Sequence, residues 1–204
     1  MKVVKGLIGL LKRALARIEY DSPVTLTFAL ICLIALILGA AASEFAAKVF
    51  SVYRAPFSDP MSWVRLFTHV FGHADYRHFI GNIALFLVLA PVVEEKYGAW
   101  RFAAMILITA LVSGLFHMLV SPATRLMGAS GVVFMLIFAA AFPGRRTRKI
   151  PLTIVLVATI YFGGELVDGI FTKDGVSQLA HIMGGLCGIG AGALFRGRRL
   201  TDLS

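Results

Sequence analysis

The chain has 204 residues, of which 58% are hydrophobic and 15% are charged, and its formal net charge is +9. A soluble domain of this length carries roughly a quarter of charged residues, so the composition excludes an ordinary soluble protein and indicates a membrane protein. The charges gather in short clusters between long uncharged stretches, which favours contact of the basic residues with water and lipid headgroups over nucleic-acid binding.

Residues 1–20 are predicted to form an amphipathic segment on the membrane surface, because apolar residues recur at helical spacing among basic ones. The apolar residues are Leu7, Leu10, Leu11, Ala14, Leu15 and Ile18, and the basic ones are Lys5, Lys12, Arg13 and Arg17. No cleavable signal is expected, since Lys12 and Arg13 interrupt its apolar core.

Six stretches without a charged residue predict six transmembrane helices in residues 21–196. They cover residues 22–43, 78–93, 102–124, 126–144, 150–164 and 175–195. Each is about long enough to cross a ~30 Å hydrocarbon core as a helix, and none shows the alternation of a barrel strand. We therefore expect an all-α membrane protein. Residues 44–77 form its longest connection, which is rich in Phe and Trp and is predicted to dip into or lie on the membrane.

An even number of spans puts both termini on one side, and that side holds 14 of the 20 Lys and Arg residues. Basic loops stay in the cytoplasm, so both termini, including the basic tail 197–204, are predicted to be cytoplasmic and the membrane to be the cell (inner) membrane. Cys32 and Cys187 lie inside predicted spans and are interpreted as buried apolar residues.

Four polar residues stand out inside the predicted spans, where polar groups are costly and often functional. They are His78, Asn82, Ser130 and His181. Ser130 precedes Arg145 by 15 residues and His181 precedes Arg196 by 15, which puts both roughly 22 Å above the inner boundary. His78 and Asn82 fall in the same layer when counted back from Glu94, so the four residues are predicted to lie together near the outer face.

A Ser and a His at one depth make a plausible nucleophile and general base. His78 and Asn82, four residues apart on one helix face, are candidate donors to an oxyanion, as is the Ser130 amide at a helix N-terminus. Gly128 and Gly131 flank the serine and allow close approach of the backbone.

On the last predicted helix, His181 shares a face with Gly184, Gly188 and Gly192. Small residues at this spacing permit tight helix contact. The helix that begins at Ser130 is the expected partner.

Taken together, these residues resemble the rhomboid intramembrane serine proteases. The similarity covers nearly all of residues 24–195, and its motifs are Arg65-Leu66-Phe67-Thr68-His69, His73, His78-x-x-x-Asn82, Glu94 to Gly98, Gly128-Ala129-Ser130-Gly131 and Ala180-His181-x-x-Gly184-Gly185. Two positions differ from the common pattern: Val64 separates Trp63 from Arg65, and Phe134 stands where Tyr is frequent.

The resemblance implies a six-helix bundle, a Ser130–His181 dyad, and oxyanion contacts from His78, Asn82 and the Ser130 amide. It implies cleavage of transmembrane protein substrates near the outer face, at small residues in weakly helical segments, without a cofactor or metal. Phe134 is expected to pack against the His181 ring.

Two other functions remain open from the residues alone. A noncatalytic relative would bind or escort transmembrane clients, but it would be expected to lack the Ser130–His181 pair. A haem or metal protein would use histidines such as His69 and His73, whose spacing is four residues, although no acidic partner is adjacent.

Overall fold

The computed structural model describes residues 19–121, 123–142, 149, 152, 155–156, 158–160, 163–164 and 175–195, with side chains in the last range from residue 178. In chain order its helices are α1 (Pro23–Ala41), α2 (Ser43–Val49), α3 (Pro60–Thr68), α4 (Tyr76–Tyr97), α5 (Ala99–Val120), α6 (Ser130–Ala141) and α7 (Gly175–Leu194). Over these residues the only β pairing is an isolated bridge between Val52 and Leu126. The predicted all-α class is confirmed.

Three of these helices, α1, α4 and α5, are long and apolar enough to cross a membrane. The apolar helices α6 and, within α7, residues Gln178–Leu194 are shorter. Of residues 150–164, eight are described and all eight are helical. The predicted number of six crossings is therefore not confirmed. The predicted surface segment, except for residues 19 and 20, and the basic tail lie outside the described residues.

The helix predicted within residues 126–144 begins at Ser130, as expected, and Leu126 before it pairs with Val52 through two backbone hydrogen bonds of 2.9 Å. One predicted boundary was wrong, the end of the second predicted helix. The second extends to Tyr97 rather than ending before Glu94. Charged residues continue this helix because Glu94 and Lys96 bind backbone groups of neighbouring helices.

Glu94 and Lys96 tie three helix ends together. The Glu94 carboxylate accepts hydrogen bonds from Val24 N–H (3.0 Å), Thr25 N–H (2.9 Å) and the Thr25 hydroxyl (2.8 Å). It thereby satisfies amides that the first turn of α1 leaves without a partner. Lys96 Nζ donates to the carbonyls of Ala139 (2.8 Å), Ala140 (3.3 Å) and Phe142 (2.7 Å) at the end of α6. We call this face of the bundle the Glu94 end and the opposite face the Ser130 end.

Helix α6 lies at the centre of the bundle. Every residue from Gly131 to Ile137 is buried, as expected for a helix that is apolar on all sides. It contacts α4, α5 and α7. Ser130, the first residue of α6, is therefore attached directly to a helix that is buried in the core.

The long connection 44–77 folds into α2, α3 and a 3-10 turn, His69–Phe71. Asp59 caps α3 by accepting from Met61 N–H at 3.0 Å. The rings of Phe57 and Trp63 pack at 5.1 Å and are each about half exposed. The contact of the connection with the membrane stays a prediction.

Candidate active site

Ser130 is the first residue of α6, and the loop before it is fixed by backbone contacts. The Gly128 N–H donates to the carbonyl of His69 at 2.9 Å, and Leu126 is paired with Val52. Gly128 has a φ of 131°, a conformation that other residues rarely adopt. The loop therefore turns sharply into α6 and presents Ser130 at a helix N-terminus, as predicted.

Helix α7 meets α6 backbone to backbone beside this serine. A Cβ added to Gly184 would lie 3.0 Å from the Gly131 Cα and would collide with the Gly131 carbonyl oxygen. A Cβ added to Gly131 would lie 3.3 Å from the carbonyl oxygen of Ala180. Because Gly131 follows Ser130 and Ala180 precedes His181, the contact brings the two predicted reacting residues to one level. The predicted pairing of these helices is confirmed.

The ring of His181 is buried and stacks on Phe134, with 4.4 Å between centroids and 10° between planes. Phe134 lies one turn after Ser130 on α6 and is itself buried. A near-parallel stack restricts rotation of the imidazole about its side-chain bonds. The expectation that Phe134 packs against His181 is confirmed.

His78 and Asn82, on α4, lie against Gly128. A Cβ at Gly128 would lie 2.8 Å from His78 Nε2 and 3.9 Å from Asn82 Nδ2. Asn82 Nδ2 donates one hydrogen bond, of 3.0 Å, to the carbonyl of His78, and an amide nitrogen has a second hydrogen to offer. Only glycine leaves room here for both side chains.

The remaining histidines bind protein groups. His69 is buried between the Arg65 carbonyl (Nδ1, 3.1 Å) and the Ser113 hydroxyl (Nε2, 3.4 Å), and His117 Nε2 meets the Thr124 carbonyl at 3.1 Å. His73 Nδ1 lies 3.1 Å from the Phe71 carbonyl. Burial lowers the pKa of His69 and of His73 to about 4, so both rings are neutral at pH 7. Within the described part of the chain, no three His, Cys, Asp or Glu residues group so as to hold a metal.

Arg65 and Tyr53 link the connection 44–77 to the loop that carries Ser130. The buried Arg65 guanidinium donates to the Lys48 carbonyl (2.9 Å) and pairs with Asp59 (3.3 Å). It lies 4.4 Å from the centre of the Tyr53 ring, and Arg125 lies 4.9 Å from the same ring. Trp63 is exposed, by contrast, so Trp63 and Arg65 differ in burial and in contacts.

Sequence reasoning gave no role to Glu94, Lys96 or Asp75. The partners of Glu94 and Lys96 are distant in sequence. The partner of Asp75 is close, because its side chain caps α4 by accepting from His78 N–H at 2.8 Å. An Asp three residues before a site histidine, at a helix start, was a signal that the sequence offered.

Apolar helices that can cross a bilayer, with polar side chains gathered between them at one end, define an integral membrane protein with several spans. Residues 60–198 match the family described as the Rhomboid domain. The chain belongs to the rhomboid family.

Three relatives support the same family, and two of them are named as proteases. The chain is 29% identical over 177 residues to the rhomboid protease GlpG of Salmonella typhi, covering 84% of this chain and 62% of that one. It is 24% identical over 135 residues to the putative rhomboid protease YdcA of Bacillus subtilis (62% and 63%). It is 30% identical over 134 residues to rhomboid-related protein 1 of Caenorhabditis elegans (61% and 38%). The aligned part thus spans between about a third and two thirds of each relative, and the family to which the chain belongs is a peptidase family.

Proposed function

We propose that the chain is an intramembrane serine endopeptidase that hydrolyses peptide bonds in the transmembrane segments of membrane proteins. The observation that carries the proposal is the backbone contact of Gly131 with Gly184. It sets Ser130, at the start of a buried helix, level with a buried histidine. Family membership supports the same reaction class.

In this mechanism Ser130 Oγ attacks the scissile carbonyl carbon while His181 takes the hydroxyl proton. Collapse of the tetrahedral intermediate breaks the C–N bond, and His181 gives its proton to the leaving amine. Water then attacks the acyl-serine ester and loses a proton to His181. As the bond between the acyl carbon and Ser130 Oγ breaks, His181 returns that proton to Oγ, which releases the acid product and restores the serine hydroxyl. No cofactor or metal takes part.

Three donors stabilise the oxyanion in the proposal: the Ser130 amide, Asn82 Nδ2 and His78 Nε2. Two of them converge on Gly128, two residues before the nucleophile. Donors fixed in this way act on charge that develops in the transition state without reorganising. The arrangement therefore favours turnover more than substrate binding.

We further propose that His181 works without a third, acidic residue, and that stacking on Phe134 orients its ring. Glu165, Asp168 and Asp174, the carboxylates near it in sequence, lie outside the described residues. The substrates are transmembrane proteins, the surroundings are lipid, and the proposed location is the cell (inner) membrane with both termini cytoplasmic.

Labelling by a fluorophosphonate, which reacts with activated serines, tests the proposal together with cleavage of a transmembrane substrate. Wild type should label and cleave, Ser130→Ala should do neither, and both should melt alike in detergent. Ser58→Ala, which removes an exposed serine from the outer connection, is the control and should match wild type. A folded wild type that neither labels nor cleaves would favour the noncatalytic, client-binding alternative.

A further inference from the structure

His78 is held from two sides by the short turn that precedes it. Asp75 is the N-cap of α4, and its Oδ1 accepts from the backbone N–H of His78 at 2.8 Å. The neighbouring Ala74 N–H donates a long hydrogen bond, 3.5 Å, to His78 Nδ1. The same two-residue turn thus holds both the backbone and the ring of one histidine.

The bond from Ala74 determines which ring nitrogen carries the proton. Nδ1 accepts a hydrogen bond only when it is unprotonated, so a neutral imidazole in this place bears its hydrogen on Nε2. Nε2 is the nitrogen that faces Gly128, 2.8 Å from the position of a Cβ there. The tautomer that Ala74 selects is the one able to donate toward the loop before Ser130.

Packing leaves the ring little freedom to turn. The imidazole of His73 meets that of His78 edge-on, with 5.2 Å between centroids and 68° between planes. His73 is in turn held edge-on against Phe79 at 5.4 Å. A 180° flip of the ring would put Cδ2 in the place of Nδ1 and Cε1 in the place of Nε2, which would remove the acceptor from Ala74.

We propose that Asp75 is a positioning residue for His78, acting through the helix cap. Its carboxylate fixes the start of α4, which keeps the Ala74 N–H against Nδ1 and the Nε2–H directed toward the candidate oxyanion site. The role depends on the hydrogen bond rather than on the charge, since Asn and Ser cap helices about as well as Asp. This inference rests on the proposed function for its kinetic effect, but not for its effect on the ring.

Kinetics on a transmembrane substrate give the first test. Asp75→Ala should lower kcat by roughly 10- to 100-fold, less than the roughly 10²–10³-fold expected for loss of an oxyanion donor itself, with KM nearly unchanged. Asp75→Asn and Asp75→Ser should keep kcat within a few-fold of wild type. Equal impairment of the Asn variant and the Ala variant would overturn the role of the cap.

Nitrogen NMR of the histidine rings gives the second, activity-independent test, because the chain has only five histidines and His78→Gln assigns the signals. Wild type should show the Nε2–H tautomer at His78, and Asp75→Ala a mixture of the two. Asp75→Gly, which keeps a backbone that tolerates the cap position, should give the same mixture if the Ala variant does not fold.

Asp59→Ala is the matched control, because it removes a capping Asp from α3, whose start bears no candidate site residue. It should lower the melting temperature and leave the His78 tautomer unchanged. An unchanged tautomer in both Asp75 variants would overturn the inference. Should wild type prove inactive, the proposed function fails while the ring measurement still decides this point.

Discussion

Phe134 stacks on the His181 ring, with 4.4 Å between the ring centroids, and this contact is the one that we propose orients the ring. Aromatic pairs contribute about 0.5–1.5 kcal/mol beyond their buried area, equivalent to a loss of up to about tenfold in rate. Phe134→Leu should therefore lower kcat by up to about tenfold with little change in KM, while Phe134→Tyr retains the stack and most of the turnover. Steady-state cleavage of a transmembrane substrate measures both, and a Leu variant with wild-type kcat would show that other contacts orient the ring.

Asn82 has a role in the transition state if its free N–H meets the oxyanion. Asn82→Ala should lower kcat by roughly 10²–10³ and leave KM within a few-fold. Its fold should survive, because among the described residues the hydrogen-bond partner of Asn82 Nδ2 is the carbonyl of His78 in its own helix. A variant whose KM rises while kcat holds would place Asn82 in substrate binding instead.

The four candidate site residues were predictable from sequence because polar groups are rare in apolar stretches. Their surroundings were not. His69 meets Gly128 across nearly sixty residues of chain, and Arg65 contacts the Lys48 carbonyl and the Tyr53 ring. Contacts of this kind depend on tertiary packing and leave no periodic trace in the sequence.

At the scale of helices, the α6–α7 contact depends on glycines that differ sharply in their surroundings. A Cβ at Gly188 would lie 2.9 Å from the Cβ of Phe138 and would collide with the Met135 carbonyl oxygen, whereas none of the described residues lies within 4 Å of a Cβ at Gly190. Gly188→Ala should thus cost about 1–3 kcal/mol through overpacking. Gly190→Ala should stabilise α7 by up to about 1 kcal/mol.

Thermal unfolding of the two alanine variants in one detergent checks this difference. Each adds one methyl group to the same helix, so the pair controls for helix propensity. A melting temperature for Gly188→Ala at or above that of Gly190→Ala would contradict the close contact between α6 and α7.

Glu94 holds the start of α1 against the end of α4 by accepting three hydrogen bonds. Hydrogen bonds to a charged group contribute about 1.5–3 kcal/mol each, so Glu94→Ala should destabilise the protein by at least about 2 kcal/mol. The neighbouring Glu95 is exposed, and Glu95→Ala should leave the melting temperature near that of wild type. Equal melting of the two variants would mean that α1 is held by its apolar face alone.

Helix positions followed from the uncharged stretches, but helix ends did not. The sequence shows only where charged residues begin. In the structure α4 continues past Glu94, because backbone groups of α1 and α6 form hydrogen bonds with the charged side chains there and offset the free energy of burying them. The pairing of Leu126 with Val52, which precedes α6, likewise joins residues far apart in the sequence. Boundaries depended on partners supplied by other elements.

For the molecule as a whole, the Glu94 end and the Ser130 end are distinct faces of one bundle. The start of α1 and the ends of α4 and α6 meet at the first. The candidate site residues and the connection 44–77 lie toward the second. The excess of Lys and Arg outside the connection predicts that the Glu94 end faces the cytoplasm.

Cysteine labelling tests this orientation in a Cys32→Ala, Cys187→Ala background, which removes both native thiols. Trp100→Cys replaces the second residue of α5, which is 89% exposed at the Glu94 end, and Ser58→Cys replaces an exposed residue of the connection 44–77. A thiol reagent that cannot cross membranes should label Ser58→Cys in intact cells. It should label Trp100→Cys only after the membrane is permeabilised. The reverse pattern would invert the bundle and place the candidate site near the cytoplasmic face, where substrates would be cut on the opposite side of the membrane from the one proposed.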